Sequence, residues 1–243
     1  MALGQTISRL FKKGLSQLPF TAEMRVRKFV KQAKHWSIYL REGEEGLGRF
    51  INQSNDRTFG AGVDARLFEH PKLPALLTDI EQMATKARIR VKEVVARMSP
   101  HGSPLSADYQ RIHIDPNHLD KYTPAELKAI ARHELEHIRN NDIIHGALGA
   151  RQIPMEARAD IAAVRDSGEP EAFIEVMKKT ENKELADISH AQAVGDHETA
   201  NSLSHTLRYG DSYHPPTHSR IRLAKKWADM IKQEAGLSPK TRS

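Results

Sequence analysis

Apolar positions recur at helical spacing through most of the chain. Ile7, Leu10, Phe11 and Leu18, then Met24, Phe29, Val30, Trp36 and Ile38, mark two amphipathic helices in the first forty residues. Residues 43–62, rich in Gly, Asn and Asp, read as a helix fragment plus loop, a candidate linker. Leu73 to Ala87 predicts a helix with Leu76, Leu77, Ile80, Met83 and Ala84 inward. Ile89 to Met98 predicts a strand centred on Arg90-Val91-Lys92, and Arg111 to Asp115 alternates as a second short strand does. Pro100 to Ser106 is the loop before it. Thr123-Pro124-Ala125-Glu126 reads as a capping box, starting a helix from Pro124 to about Ile144. Pro154 opens the next helix. Residues 181–213 read as helical and polar, either a solvated hairpin or a lid. Thr217 can cap a last helix to about Glu234, with Ile221, Ala224, Trp227, Ala228 and Ile231 inward. The pattern predicts an α+β, mostly helical fold with a small β-sheet. Residues 1–62 form a largely helical extension and 63–243 the main domain.

The helix from Pro124 carries His133-Glu134-Leu135-Glu136-His137, the HExxH spacing. Residues four apart share a helix face, so two imidazoles can aim at one metal ion. Glu134 lies between them in angle and can reach a water there. Leu127, Ile130, Ala131 and Ile138 form an apolar arc that contains Glu134, with the two histidines on its shoulder. Lys128, Arg132, Glu136 and Arg139 point the other way, toward water. Two histidines and a glutamate on an inward face are costly unless something satisfies them, and a divalent metal does so.

A third protein ligand is expected. A metzincin would have Gly three residues after the second His and His six after; Asn140 and Ile143 stand there. Glu156, on the helix from Pro154, follows His137 after eighteen residues, enough for a loop and an antiparallel return. Asp160, one turn on, is placed to hold a ligating His in its tautomer. Near the C-terminus, His214-Pro215-Pro216-Thr217 sets a rigid approach to the last helix. Arg220 sits in its first turn, against the helix dipole, which suggests another use for that cation.

These elements together resemble the HtpX-like and CAAX-prenyl-protease-type zinc metallopeptidases, a branch of the gluzincins. The resemblance runs from Tyr122-Thr-Pro-Ala-Glu-Leu into HExxH, through Glu156-Ala-Arg-Ala-Asp160 with Ala163-Val164 and Gly168-Glu-Pro170, to His-Pro-Pro before Arg220-Ile221. It covers about residues 72–235. It implies one zinc held by His133, His137 and Glu156, with Asp160 behind the ligands. It implies Glu134 as general base on a zinc-bound water, and His214 and Arg220 at the transition state. It also implies a sheet beside the metal helix whose edge strand aligns a protein or peptide substrate. The chain departs from the family in two ways. It carries no transmembrane helices around the core, and its His137-to-Glu156 spacing is short. The implied function is zinc-dependent endopeptidase action by residues 63–243. The alternative is a non-catalytic gluzincin scaffold acting as chaperone, adaptor or membrane-surface module.

Charge changes the picture at the N-terminus. Residues 1–41 hold nine Lys/Arg and one acidic residue, Glu23, a surplus of +8 against +6 for the whole chain. Three readings fit: a basic helix on an anionic membrane surface, a mitochondrial transit segment, or a helical extension packed on the domain with a solvated basic face. No nucleic-acid reading module accompanies the charge, so specific nucleic-acid binding is not expected. There is no cysteine, so disulfides and thiolate zinc ligands are excluded. No apolar run reaches eighteen residues and no secretory h-region is present. The chain reads as cytoplasmic, with peripheral membrane attachment, a mitochondrial location and a secreted effector as alternatives. His101, His113 and His118 read as surface or core histidines rather than ligands.

Overall fold

The computed structural model describes residues 20–99, 103–211 and 214–234. The predicted helix around Ile7 to Leu18 lies outside them, as does His101. The chain opens with α1 (Phe20–Phe59), which turns at Gly43 where φ is +67°. Nothing lies within 4 Å of a Cβ built there, so the backbone conformation, rather than space, calls for glycine. The segment after the turn is helix up to Phe59, not a linker. Leu47 is fully buried in it, and a Cβ on Gly48 would fall 2.1 Å from the Tyr109 ring. Helix α1 is therefore fastened to the sheet by its second half.

The sheet has four short strands: β1 (Val63–Asp64), β2 (Glu93–Ala96), β3 (Leu105–Asp108) and β4 (Arg111–Ile114). Their order is β1-β2-β4-β3, with β2 parallel to β4 and the outer pairs antiparallel. Strand β2 begins at Glu93, just past the expected Arg90-Val91-Lys92 centre, with its register set by Glu93 opposite Arg111. Strands β1 and β3 have no clear alternation to announce them. Gln110, at φ +56°, makes the tight turn from β3 to β4. His113 is a core histidine: its Nε2 lies 3.1 Å from Asp108 Oδ2, which also accepts from Arg111 at 3.0 Å.

Helix α2 (Leu73–Lys86) buries Leu73, Leu76, Ile80, Met83 and Ala84, as its periodicity requires. Helix α3 (Pro124–Arg139) starts at the expected capping box: Glu126 N–H donates to Thr123 Oγ1 and Thr123 N–H to Glu126 Oε2 at 2.7 Å. It is followed by α4 (Asp142–Ala147), α5 (Ile153–Asp166), α6 (Pro170–Ala193), α7 (His197–Tyr209) and α8 (Thr217–Glu234). Helices α6 and α7 pack as a hairpin. Thr217 is the first residue of α8, and its hydroxyl donates to Glu184 at 3.0 Å.

Helix α3 is the centre of the molecule, packed by α2, β3, α5 and α6. Leu127, Ala129, Ala131 and Leu135 are essentially inaccessible, and each fully buried Leu contributes roughly 1.5–3 kcal/mol. Two expectations fail on this helix. Arg132 and Glu136 do not face water; both are buried, paired at 2.8 Å, and Arg132 reaches Asp166 of α5 at 2.9 Å. Helix α5 covers that part of α3 and supplies Asp166, so they are buried as a pair. The helix also stops at Arg139 rather than near Ile144. Asn141 is left-handed at φ +52°, and the chain restarts as α4 in a new direction.

Candidate metal centre

His133 and His137 stand one turn apart on α3, and α5 packs beside them to bring in Glu156. The Nε2 atoms of the two imidazoles face each other at 3.0 Å. Glu156 Oε1 lies 3.4 Å from His137 Nε2, and Oε2 lies 3.6 Å from His133 Nε2. All three residues are buried, and one donor atom from each falls within 4.8 Å of the others. This group can hold a metal ion. Glu134, half-buried, is near enough to favour the charged forms of His137 and Arg220.

The far side of each imidazole is held by a carboxylate. His137 Nδ1 is 2.9 Å from Asp142 Oδ2, and His133 Nδ1 is 3.1 Å from Asp160 Oδ1, though not in line with a ring N–H. The His133 ring stacks on Phe173 of α6, 5.7 Å between centroids and 18° between planes. A neutral imidazole whose Nδ1–H donates to a carboxylate presents a bare lone pair at Nε2. His137 meets this condition through Asp142; with its Nε2 3.0 Å from that of His133 and a carboxylate beside both, a proton or a cation is needed between them. Burial works against a charged His137, but Asp142, Glu134 and Glu156 outweigh it and raise its pKa.

Arg220 explains its position against the helix dipole. Its guanidinium donates twice to Asp160, at 2.8 and 2.6 Å, and lies 3.3 Å from Glu156 Oε2. Burial alone would push the Asp160 carboxyl up, yet Arg220 and His133 hold it well below the usual carboxylate range. The same contacts raise Arg220. Arg220 thus ties α8 to Glu156 and Asp160 of α5. His214 stands on the approach with its Nε2 3.8 Å from Glu156 Oε1, and its backbone N–H donates to Asp211 at 2.6 Å. Its side chain is half exposed. All seven residues anticipated from the sequence therefore gather at one place.

Asp142 is the residue that pattern reasoning missed. It is buried, grips His137, and is itself held by Arg158 from α5. It reaches His137 only because the helix breaks at Asn141. The Asn140-Asn141 pair is a turn signal, and it was available in the sequence. Asp142→Ala is expected to weaken metal binding by about 10–100-fold without unfolding the chain. A competition titration against a chromophoric chelator, with circular dichroism as control, measures this; an unchanged affinity would separate Asp142 from the centre.

Comparison of the chain with models of protein families, with curated proteins and with solved structures finds no match.

Proposed function

We propose that the protein is a zinc-dependent endopeptidase of the gluzincin type, with His133, His137 and Glu156 as zinc ligands. The observation that carries this reading is the pair of Nε2 lone pairs facing each other at 3.0 Å beside the Glu156 carboxylate. Tetrahedral ligands about 2.0–2.1 Å from a common centre stand about 3.3 Å apart. Separations of 3.0, 3.4 and 3.6 Å fit that with little movement. Two neutral imidazoles and one carboxylate also match the charge and softness of zinc. The order of HExxH, Glu156-Ala-Arg-Ala-Asp160 and His214-Pro-Pro supports the HtpX-like resemblance.

Zinc, when bound, polarises a carbonyl and makes a water more acidic. Glu134 would take a water proton on its carboxylate and pass it to the leaving amine. His214, on the open side, donates a hydrogen bond to the oxygen that becomes negative. Asp142 and Asp160 keep the imidazoles oriented, and Arg220 keeps Asp160 and Glu156 in place. Strand β3 is a sheet edge packed against α3. An extended peptide added to that edge would have its backbone satisfied with little sequence preference.

The test is cleavage of casein or a peptide library by the purified chain, with its metal content measured. Cleavage should vanish with a chelator and return with zinc. His214→Ala should keep zinc and lower turnover by about 10²–10³-fold, the loss usual for one oxyanion donor. A zinc-loaded chain that leaves every substrate intact would favour the scaffold reading instead.

A further inference from the structure

The N-terminal half of α1 has a face that nothing in the described chain covers. Phe29, Ala33, Trp36 and Leu40 are spaced four, three and four residues apart, so they form one stripe along the helix. Phe29 is 70% exposed, Trp36 44% and Leu40 79%. The opposite face is the docked one: His35 and Ile38 are buried, and His35 Nδ1 is 3.0 Å from the carbonyl oxygen of Ala147 on α4. The stripe therefore points away from the body. At about 100° per residue, Val30 widens it and Lys34 and Arg41 fall along that border.

Charge decides what can lie on this stripe. Between Met24 and Arg41 there are six Lys/Arg and no Asp or Glu. A second copy of the helix would bring like charge against like charge. Residues 1–19 hold Arg9, Lys12 and Lys13 and no acidic residue, so they are no better matched. The occupant must be anionic and must also accept Phe, Trp and Leu. A bilayer with acidic headgroups offers both: the apolar stripe enters the headgroup–acyl boundary while Lys and Arg stay among the phosphates. Trp and Phe suit that boundary. No described helix is long and apolar enough to cross a membrane, so attachment would be in the plane of the surface. We infer that the Phe29–Leu40 face of α1 docks the protein on an anionic lipid surface.

The experiment uses the full chain with vesicles of phosphatidylcholine, alone or with about a third phosphatidylserine. Sedimentation should show at least tenfold stronger binding to the acidic vesicles, weakening as salt shortens the screening length from about 10 Å at 0.1 M. Chain-brominated lipid should quench tryptophan emission, and Trp36→Phe should remove that quenching, because the other tryptophan, Trp227, is partly buried and packed against the core. Phe29→Ser with Leu40→Ser should lower binding tenfold or more with the circular dichroism unchanged. Equal binding to neutral vesicles, no binding, or full binding by the double variant overturns the inference. So does a dimer in wild-type chain that the double variant converts to monomer, since that assigns the stripe to a second copy.

Discussion

Replacing Glu134 by Gln is expected to leave zinc content unchanged and to cut peptide hydrolysis by about 10²–10⁴-fold or more. The substitution keeps size and leaves the three candidate ligands intact, but the amide cannot accept a proton. Glu134 is half-buried, so the change adds no strain to the core of α3. Wild-type cleavage by this variant would remove Glu134 from the chemistry. Loss of zinc would instead make it part of the metal's support. The two outcomes differ in a metal assay alone, before any substrate is chosen.

Single substitutions of His133 or His137 by Ala should abolish stoichiometric zinc, and Glu156→Ala should weaken it far more than Asp160→Ala. The order of the last two follows from distance. Glu156 offers oxygens to both Nε2 atoms at 3.4 and 3.6 Å, whereas Asp160 faces the opposite nitrogen of His133. The reverse order would make Asp160 the third ligand. Stability should rank the other way. Removing Asp160 leaves Arg220 buried without its main anion, a loss of about 3–5 kcal/mol for a broken buried pair. Asp160 is depressed in the fold, so its contribution is present above its ordinary value of 3.8 and is lost as pH falls toward the folded value. Asp108, held low by His113, Asn55 and Arg111 against burial, adds to the same acid sensitivity.

Features fixed by near neighbours in sequence were legible. The Thr123–Glu126 box needs only four residues, and the Leu73–Lys86 periodicity needs only one face. The candidate ligands were readable because their spacing is local on α3 and because the next helix had room to return. What escaped depended on distant packing. Arg132 and Glu136 look like surface charges until α5 covers their side of α3 and supplies Asp166. Asp142 looks like a continuation of the helix until Asn141 turns left-handed. Residues 44–59 look like linker until Gly48 meets Tyr109 and Asp56 meets Arg111 at 3.1 Å. Strand β3 has no alternation of its own and exists through its pairing with β4.

The tie between Arg220 and Asp160 spans sixty positions of chain. A ribosome adding about 5–20 residues per second needs roughly 3–12 s to cross that gap. Through that interval the nascent chain already carries both histidines and Glu156, but Asp160 has no cation beside it. Packing α5 onto α3 would then bury an uncompensated carboxylate, at a cost of several kcal/mol. The buried cluster is complete only with α8 in place, so its electrostatic balance depends on the last part of the chain to be made.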